Sequence, residues 1–177
     1  MEPAEIASKI KELYPADVVD VRDFRGQCAL VVKKDDILEI LMRLHDDPEF
    51  NFDFLKDLCG VDYLSKRTPR FEVIYQLYSI QHKHMIRIAV QVPEKSPSLE
   101  SCACIWNTAN WHERECYDMY GIVFENHPDL RRVLMPEDWE GYPLRKDYPV
   151  EGPEEEWRGF KEVLQKHEEY KKYEWNR

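Results

Sequence analysis

The spacing of apolar residues changes repeatedly along the first quarter of the chain. Apolar side chains three and four positions apart predict amphipathic helices, and alternation of apolar and polar positions predicts strands. The elements predicted from this spacing are a helix, two strands and a second helix, over residues 3–13, 17–24, 27–33 and 35–47. Pro15 ends the first helix, and the second ends before Pro48.

The middle of the chain contains the clearest strand pair. Residues 71–78 and 85–92 each place alternate apolar side chains on one face. The polar connection between them suits an antiparallel hairpin. Before this pair, residues 52–58 are predicted to be helical and to be closed by Gly60. A short strand is predicted near residues 61–64.

Beyond Pro93 the pattern predicts helices and then loses its period. Residues 98–105 are predicted to form a helix, and residues 107–120 form a second one that Gly121 ends. Residues 122–153 then combine many apolar side chains with recurring prolines at positions 128, 136, 143, 149 and 153. So many prolines exclude one helix or a central strand, and the apolar content is too high for a free linker.

These elements predict an α+β fold. Helices pack on a small mixed, largely antiparallel sheet, and a long Pro-rich extended C-terminal tail follows. We divide the chain into an α+β domain over residues 1–121, an extended Pro-rich segment over 122–153, and a charged, helical C-terminal segment over 154–177. The extended segment is expected to bury its apolar side chains on another surface.

Composition excludes several classes of protein. The chain has 25 Lys and Arg against 35 Asp and Glu, a formal net charge of −10. This argues against a nucleic-acid binder and against autonomous docking on anionic lipid, since both need clustered cations. No apolar run approaches the roughly 20 residues of a membrane-spanning helix, and no signal peptide is expected. Five scattered cysteines are typical of reduced thiols rather than a disulfide framework.

The candidate functional residues begin on the helix predicted at residues 107–120. Its carboxylates Glu113, Glu115 and Asp118 share helical stripes with apolar residues. Carboxylates buried in this way need cations or several hydrogen-bond donors. The following segment supplies four cations: Arg131, Arg132, Arg145 and Lys146. We therefore predict that the segment folds back over the helix and is pinned by Arg–carboxylate ion pairs.

Two catalytic interpretations of these carboxylates remain alternatives. Glu113 with Glu115 or Asp118 could serve as an acid–base pair, although no nucleophile, metal set or phosphate loop accompanies them. His112 to Cys116 resembles the HExxH zinc motif, with Cys where the second His should stand.

Other candidate ligands have ordinary interpretations. Cys102, Cys104 and Cys116 do not match the spacings of iron–sulfur binders and are interpreted as partly buried thiols. His82 and His84 are interpreted as solvated turn residues. The sequence has neither a Gly-rich dinucleotide fingerprint after a strand nor a phosphate-binding P-loop.

The segment from Asn110 to Pro149 closely resembles the C-subunit family, also called the 30 kDa-type subunit, of respiratory complex I (NADH-quinone oxidoreductase), which related membrane-bound hydrogenases share. The family signature Glu-Arg-Glu-x-x-Asp is present at 113–118, and His-Pro-x-Leu-Arg-Arg is present at 127–132. The match continues to Tyr148-Pro149 and includes residues 58–63 upstream. It is weaker before about residue 56 and slight after 155.

The resemblance implies a scaffold subunit of the peripheral, quinone-reducing arm with no redox centre of its own. Electron transfer from NADH to quinone and the coupled proton translocation would belong to the whole complex. We expect no cofactor in this chain, and iron–sulfur clusters and flavin in partner subunits. The expected partners are the hydrogenase-like large subunit and the cluster-bearing small subunit, which the C-terminal extension would wrap.

The resemblance also implies a location and a set of interface residues. The chain is expected at the cytoplasmic face of the inner or cell membrane, peripherally and only through its partners. The residues expected to form structural ion pairs or the partner interface are Glu113, Glu115, Asp118, His127, Arg131, Arg132, Trp139, Arg145 and Lys146. The stretch Ser98 to Ile105, with its two cysteines, departs from the usual Pro-rich lead-in of the family.

Two other functions remain open on the sequence. The chain could be the equivalent subunit of a membrane-bound [NiFe] hydrogenase or of another complex I relative with a different electron donor. It could also be a freestanding enzyme that uses the carboxylates of the helix.

Overall fold

The computed structural model describes residues 1–150, 159, 162 and 165–167. The predicted C-terminal helix over 154–177 therefore lies largely outside the described residues. The helices are α1 (Pro3–Leu13), α2 (Ile37–Asp46) and α3 (Ala109–Tyr120). The strands are β1 (Val18–Phe24), β2 (Gln27–Val32), β3 (Phe54–Asp62), β4 (Phe71–Ser79), β5 (His84–Val92), β6 (Ser98–Glu100) and β7 (Val123–Glu125).

Five strands form a mixed sheet in the order β1-β2-β5-β4-β3. Only the central pair, β2 and β5, is parallel, and the other pairs are antiparallel. The predicted hairpin of β4 and β5 is confirmed, with Phe71 opposite Val92 and Ser79 opposite His84. The α+β fold class predicted from the sequence is confirmed.

The apolar core lies on one face of this sheet. Alternate residues of β4 and β5 are fully enclosed, as their period of two requires: Phe71, Val73, Tyr75, Leu77, Ile86, Ile88, Val90 and Val92. Helices α1 and α2 cover these residues with their apolar stripes, which include Ile6, Ile10, Ile40 and Leu44. Among the described helices, none is long and apolar enough to cross a membrane.

The prediction of a helix at residues 52–58 is wrong, because β3 occupies this stretch. The register of β3 against β4 shifts between Leu55 and Asp57, which marks a bulge. The extra residue lets Leu55 and Leu58 both be buried although they are three positions apart. Gly60 does not close a helix but lies within β3, where a Cβ would come within 2.7 Å of the Tyr120 ring.

The prediction of a helix at residues 98–105 is also wrong. Residues 98–100 form β6, which pairs in parallel with β7 across α3, so that the three elements make a small β-α-β unit. The partner strand lies more than twenty residues downstream, and the local apolar spacing therefore does not reveal the pairing. Turns follow β6, with the carbonyl of Cys102 accepting from the backbone N–H of Ile105 and Trp106.

The predicted helix at 107–120 is confirmed as α3, and Gly121 ends it in the left-handed conformation with φ +71°. Helix α3 packs against β3 at the edge of the sheet. After β7, residues 126–150 contain no helix or strand. We call residues 1–125 the domain and residues 126–150 the tail. The division at residues 121 and 153 stays a prediction.

Candidate functional site: the anchors between helix α3 and the tail

Asp118 is the main anchor of the tail. One of its carboxylate oxygens accepts three successive backbone N–H groups, from Val133, Leu134 and Met135, at 2.7 to 3.0 Å. The other oxygen lies 2.6 Å from the guanidinium of Arg132. Burial alone would raise the pKa of Asp118, but these donors hold it below its usual range. The aspartate is therefore an enclosed anion that orders the tail backbone.

Arg132 connects this anchor to a later part of the tail. Its guanidinium donates to the carbonyl of Asp118 and also to the carbonyls of Trp139 and Gly141, at 2.9 to 3.2 Å. The five donors of an arginine fork allow one side chain to hold several carbonyls at once. The structure therefore brings together Asp118, Arg132 and the backbone of Trp139, three of the residues named from the sequence.

Arg114 is a second arginine in the same role, and the sequence interpretation missed it. It lies on α3, is largely buried, and donates to the carbonyls of Arg131 and Arg132 at 3.2 Å. Its guanidinium lies 4.7 Å from the centre of the Trp111 ring. Its position inside the Glu-Arg-Glu signature is the signal that could have identified it.

Glu113 is a second enclosed carboxylate of α3, and its hydrogen bonds go to the residues after β6, so the predicted pairing with a tail arginine is wrong. Its carboxylate accepts the Ser101 hydroxyl at 2.6 Å and the Cys102 backbone N–H at 2.7 Å. The imidazole Nε2 of His127 lies 3.8 Å away, and both side chains are fully enclosed. Burial raises the pKa of Glu113 despite the two donors.

His127 is held in one tautomer by its neighbours. Its Nδ1 accepts the backbone N–H of Asp129 at 3.0 Å, so the ring hydrogen lies on Nε2. That nitrogen donates to the carbonyl of Asn110 at 3.1 Å. The imidazole therefore links the first residues of the tail to the first turn of α3.

A third anchor fixes the end of the tail to the edge of the sheet. Arg70 lies between three carboxylates, those of Asp62, Glu94 and Asp147, at 2.6 to 3.0 Å. Asp62 also accepts the backbone N–H of Lys146 at 2.8 Å. Burial alone would raise the pKa of Asp62, but Arg70 and these backbone donors lower it to about 2. This cluster was not predicted, although an acid and an arginine at the facing ends of two paired strands are its signal.

Besides Glu113, four of the predicted ion-pair residues behave differently from expectation. Glu115 is exposed on α3, and within the described part of the chain it forms no ion pair. Arg131 is exposed and pairs with Asp129, two residues away, at 2.9 Å rather than with the helix. Lys146 contributes its backbone N–H to Asp62, while the residue itself is exposed.

Arg145, the fourth, makes a contact of another kind. Its Nε donates to the carbonyl of Tyr120 at 2.7 Å, at the end of α3. The guanidinium lies 4.6 Å from the centre of the Tyr142 ring and 5.1 Å from that of Phe71. The predicted pairing of Arg145 with a helix carboxylate is therefore wrong, and the residue instead satisfies a carbonyl at the helix end.

The catalytic alternatives gain no geometric support. Glu113 and Asp118 are both fully enclosed and hold different partners, so neither contacts a cavity that a substrate could enter. Of the residues that the structure describes, no three His, Cys, Asp or Glu side chains are grouped to hold a metal ion. All five cysteines are free thiols, with Cys102 and Cys116 buried and Cys104 exposed.

His82, in the β4–β5 connection, and His84, the first residue of β5, differ from each other. His82 is exposed, and its Nε2 lies 2.9 Å from the carbonyl of Pro48. His84 is buried with Nε2 2.7 Å from the carbonyl of Phe50, and burial lowers its pKa. The interpretation of His84 as a solvated turn residue is therefore wrong.

Comparison with known proteins identifies the family. Residues 30–154 match the family described as respiratory-chain NADH dehydrogenase, 30 Kd subunit. The C subunit of the NADH-quinone oxidoreductase of Geobacter metallireducens is 50% identical over 145 residues, which are 82% of this chain and 88% of that protein.

Two solved structures share the fold. The trypsin-resistant fragment (1-134) of Nqo5 aligns with a TM-score of 0.64 and 31% identity, over 73% of this chain and 100% of the fragment. A chain of the membrane-bound sulfane sulfur reductase, an archaeal respiratory membrane complex, aligns with a TM-score of 0.70 over 95% of this chain and 92% of its own. Its identity of 20% makes this a likeness of fold alone. The chain belongs to the 30 kDa subunit family of respiratory-chain NADH dehydrogenase, whose curated members are named as the C subunit of NADH-quinone oxidoreductase.

Proposed function

We propose that this chain is a non-redox scaffold subunit of the peripheral, quinone-reducing arm of respiratory complex I. It would hold the hydrogenase-like large subunit and the cluster-bearing small subunit in place at the cytoplasmic face of the membrane. Flavin and iron–sulfur clusters would belong to partner subunits, and the isolated chain would catalyse no reaction. Proton translocation would then be a property of the assembled complex.

Family membership supports the coarser part of this proposal directly. A C subunit of NADH-quinone oxidoreductase is one component of a hetero-oligomeric oxidoreductase. The protein therefore works with other subunits, and its own surface must include the contacts that hold it among them.

One observation supports the scaffold role most strongly. The tail is fixed to the domain through polar groups, while several of its apolar side chains face outward: Leu134, Leu144 and Val150, with exposed fractions of 59%, 48% and 104%. Apolar side chains on an ordered segment without regular structure form a contact surface that is ready before the partner arrives. We infer that these side chains pack on a neighbouring subunit.

Complex assembly tests this proposal. We expect the double variant Leu134→Asp/Leu144→Asp to fold normally, because both side chains are exposed, but to be lost from the complex purified from membranes. NADH:quinone reductase activity of the membranes should fall in parallel. A matched control is Leu13→Asp/Met42→Asp, which alters two exposed apolar side chains on α1 and α2. Equal recovery of both double variants in the complex would refute the role assigned to the tail.

The electron donor is a separate part of the proposal. The fold also occurs in a membrane-bound sulfane sulfur reductase, so the fold does not define the donor. The names of the more similar relatives favour NADH. Complex purified through this chain should reduce quinone with NADH. Reduction of quinone only with hydrogen, or with another donor, would replace this part of the proposal by the hydrogenase-type alternative.

A further inference from the structure

A cleft with several cations lies where β3 and β5 end and β4 begins, next to the tail residue Asp147. It is formed between the β3–β4 connection, residues 64–70, and the segment after β5, residues 93–95. Its volume is about 650 Å³, within the range of roughly 300–1,000 Å³ that is typical of ligand sites. The charged residues that line it are four cations and one acid: Lys66, Arg67, Arg70, Lys95 and Glu94. Asp62, Asp147 and Glu72 contact the two arginines as well, so Lys66 and Lys95 are the lining cations without an ion pair among the described residues.

The floor of the cleft is rigid and already binds carboxylates. Arg70 is 5% exposed and contacts Asp62 from β3, Glu94 from the opposite wall, and Asp147 from the tail. Because three anions surround one cation, Arg70 is neutralised and fixed. The other three cations of the lining are more exposed than Arg70.

These remaining cations lie on both walls. Arg67 is 44% exposed and lies 4.3 Å from the centre of the Tyr63 ring, which orients it, with Glu72 at 3.3 Å. Lys66 on the same wall and Lys95 on the other are exposed. Neither lysine forms an ion pair with any residue that the structure describes. Like charges held around one concave surface strengthen the local field for an anion.

The uncharged part of the lining favours a polypeptide. Leu64, Pro69 and Pro93 form apolar wall between the cations. An extended segment could place carboxylates on the two walls and its backbone and apolar atoms on the prolines. The carboxylates that already surround Arg70 show which anion this geometry accepts.

We propose that this cleft is a docking surface for an acidic extended segment of a partner subunit. At least two Asp or Glu side chains of that segment would bind Lys66 and Lys95, and Arg67 would add a third contact. The inference rests on the proposed function only in that it requires a partner in the complex. It adds an electrostatic interface beside the end of the tail, where Asp147 contacts Arg70.

Zero-length carbodiimide cross-linking of the native complex tests the proposal, because it joins lysines only to carboxylates that they touch. We expect mass spectrometry to find Lys66 or Lys95 joined to an acidic residue of another subunit. Cross-links only to the acidic run of this chain after residue 150 would overturn the proposal in favour of an internal contact. Acylation of both lysines in the complex as fast as in the free chain would overturn it outright.

Charge reversal provides a second measurement. We expect Lys66→Glu/Lys95→Glu to weaken retention of the chain in the complex roughly tenfold at low salt, and the deficit should shrink as added salt screens the new repulsion. The control Lys11→Glu/Lys83→Glu changes the net charge equally at exposed positions outside the cleft. Both free variants should unfold at the wild-type temperature. Equal retention of the two double variants would overturn the proposal.

The two proposals fail in different ways. If the wild-type chain does not purify with the complex at all, the proposed function fails. If the chain does purify with the complex while Lys66 and Lys95 behave as the control lysines do, only the docking proposal fails. Protection of the two lysines in the free chain by inorganic phosphate alone would assign the cleft to phosphate and overturn the docking proposal.

Discussion

The domain and the tail are held in shape by different kinds of contact. In the domain, the largest enclosed side chains are apolar or aromatic, among them Tyr75, Phe50 and Phe71. In the tail, the structure is maintained by hydrogen bonds between charged side chains and backbone groups: Asp118 accepts backbone N–H groups, and Arg132 donates to backbone carbonyls.

The difference has a physical cause. The domain satisfies its backbone polar groups in ladders and helices, which leaves side chains free to exclude water. The tail has no ladder, and its backbone N–H and carbonyl groups need partners from elsewhere. Charged side chains of α3 and of the tail itself supply these partners, and apolar side chains of the tail can then remain outward. The domain is therefore held together mainly by apolar packing, and the tail mainly by polar contacts to its backbone.

Removing the Asp118 carboxylate is the strongest test of the difference between domain and tail. Asp118→Ala leaves Arg132 without its carboxylate and three backbone donors without their acceptor. Removing one partner of such a buried pair costs roughly 3–5 kcal/mol. We expect the tail to detach while the domain stays folded. Hydrogen exchange should then accelerate more than a hundredfold at Val133, Leu134 and Met135, since about 1.4 kcal/mol corresponds to a factor of ten.

The control for that variant is Glu115→Ala on the same helix. Glu115 is exposed, so its loss should change stability by less than about 0.5 kcal/mol. If Asp118→Ala instead accelerated exchange in β4 and β5 as much as in the tail, the two regions would be one cooperative unit and the comparison would fail.

The junction between the two regions gives a smaller effect. At Gly121 a Cβ would lie 2.5 Å from the Tyr142 ring of the tail, and φ is +71°. We expect Gly121→Ala to destabilise the protein by about 1–3 kcal/mol in urea unfolding, from strain and overpacking together. Gly26→Ala separates the two causes, because Gly26 has φ +75° but open space around it. Equal losses in both variants would show that the Tyr142 contact contributes nothing.

Lowering the pH should change the stability contributions of Glu113 and Asp118 in opposite directions. Burial raises the pKa of Glu113 above its usual value of about 4.3, so the folded state holds this proton longer than the unfolded state. The stabilising contribution of Glu113 is present at low pH. It is lost as the pH rises from about 4.3 through the raised pKa of the folded state. The pKa of Asp118 is lowered, so its contribution is lost as pH falls below about 3.9.

Urea unfolding of Glu113→Gln between about pH 4 and neutral pH measures the first of these effects. The wild type should lose stability relative to the variant as pH rises across this range. Glu115→Gln serves as the exposed control on the same helix and should follow the wild type. A difference between wild type and Glu113→Gln that stays constant with pH would contradict the raised pKa of Glu113.

The smallest expected effect concerns an ion pair on the surface of the tail. Arg131 pairs with Asp129 while both side chains remain more than half exposed. Arg131→Ala should change the free energy of unfolding by less than about 1 kcal/mol. If Arg131→Ala lowered the free energy of unfolding as much as Asp118→Ala does, an exposed ion pair would stabilise the tail as strongly as a buried one.

Much of the domain could be predicted from the sequence because its elements are periodic. The hairpin of β4 and β5 and helix α3 with its Gly121 end follow from local spacing alone. The strand β3 could not be predicted in this way, since its bulge gives Leu55 and Leu58 a helix-like separation. Strand β6 could not be predicted because its partner is distant in the chain.

For the site, sequence reasoning identified the parts but only some of the pairs. Carboxylates beside apolar residues on α3 and arginines in the tail correctly suggested a tail folded back on the helix. Which residues pair depends on the path of the tail, and the tail has no regular apolar spacing from which this path could be predicted. Thus Arg145 was expected to meet a carboxylate and instead meets a carbonyl, and the contacts of the Arg70 cluster join residues up to 84 positions apart.

The way in which Asp118 holds the tail has a consequence for mutation and design. Its oxygens bind main-chain N–H groups of residues 133–135, and every amino acid except proline supplies such a group. The exposed side chain of Leu134 can therefore be exchanged without loosening the attachment. The backbone of this part of the tail is held in place independently of its exposed side chain. Substitutions at that position could therefore change the contact surface of the tail while the domain stays unchanged.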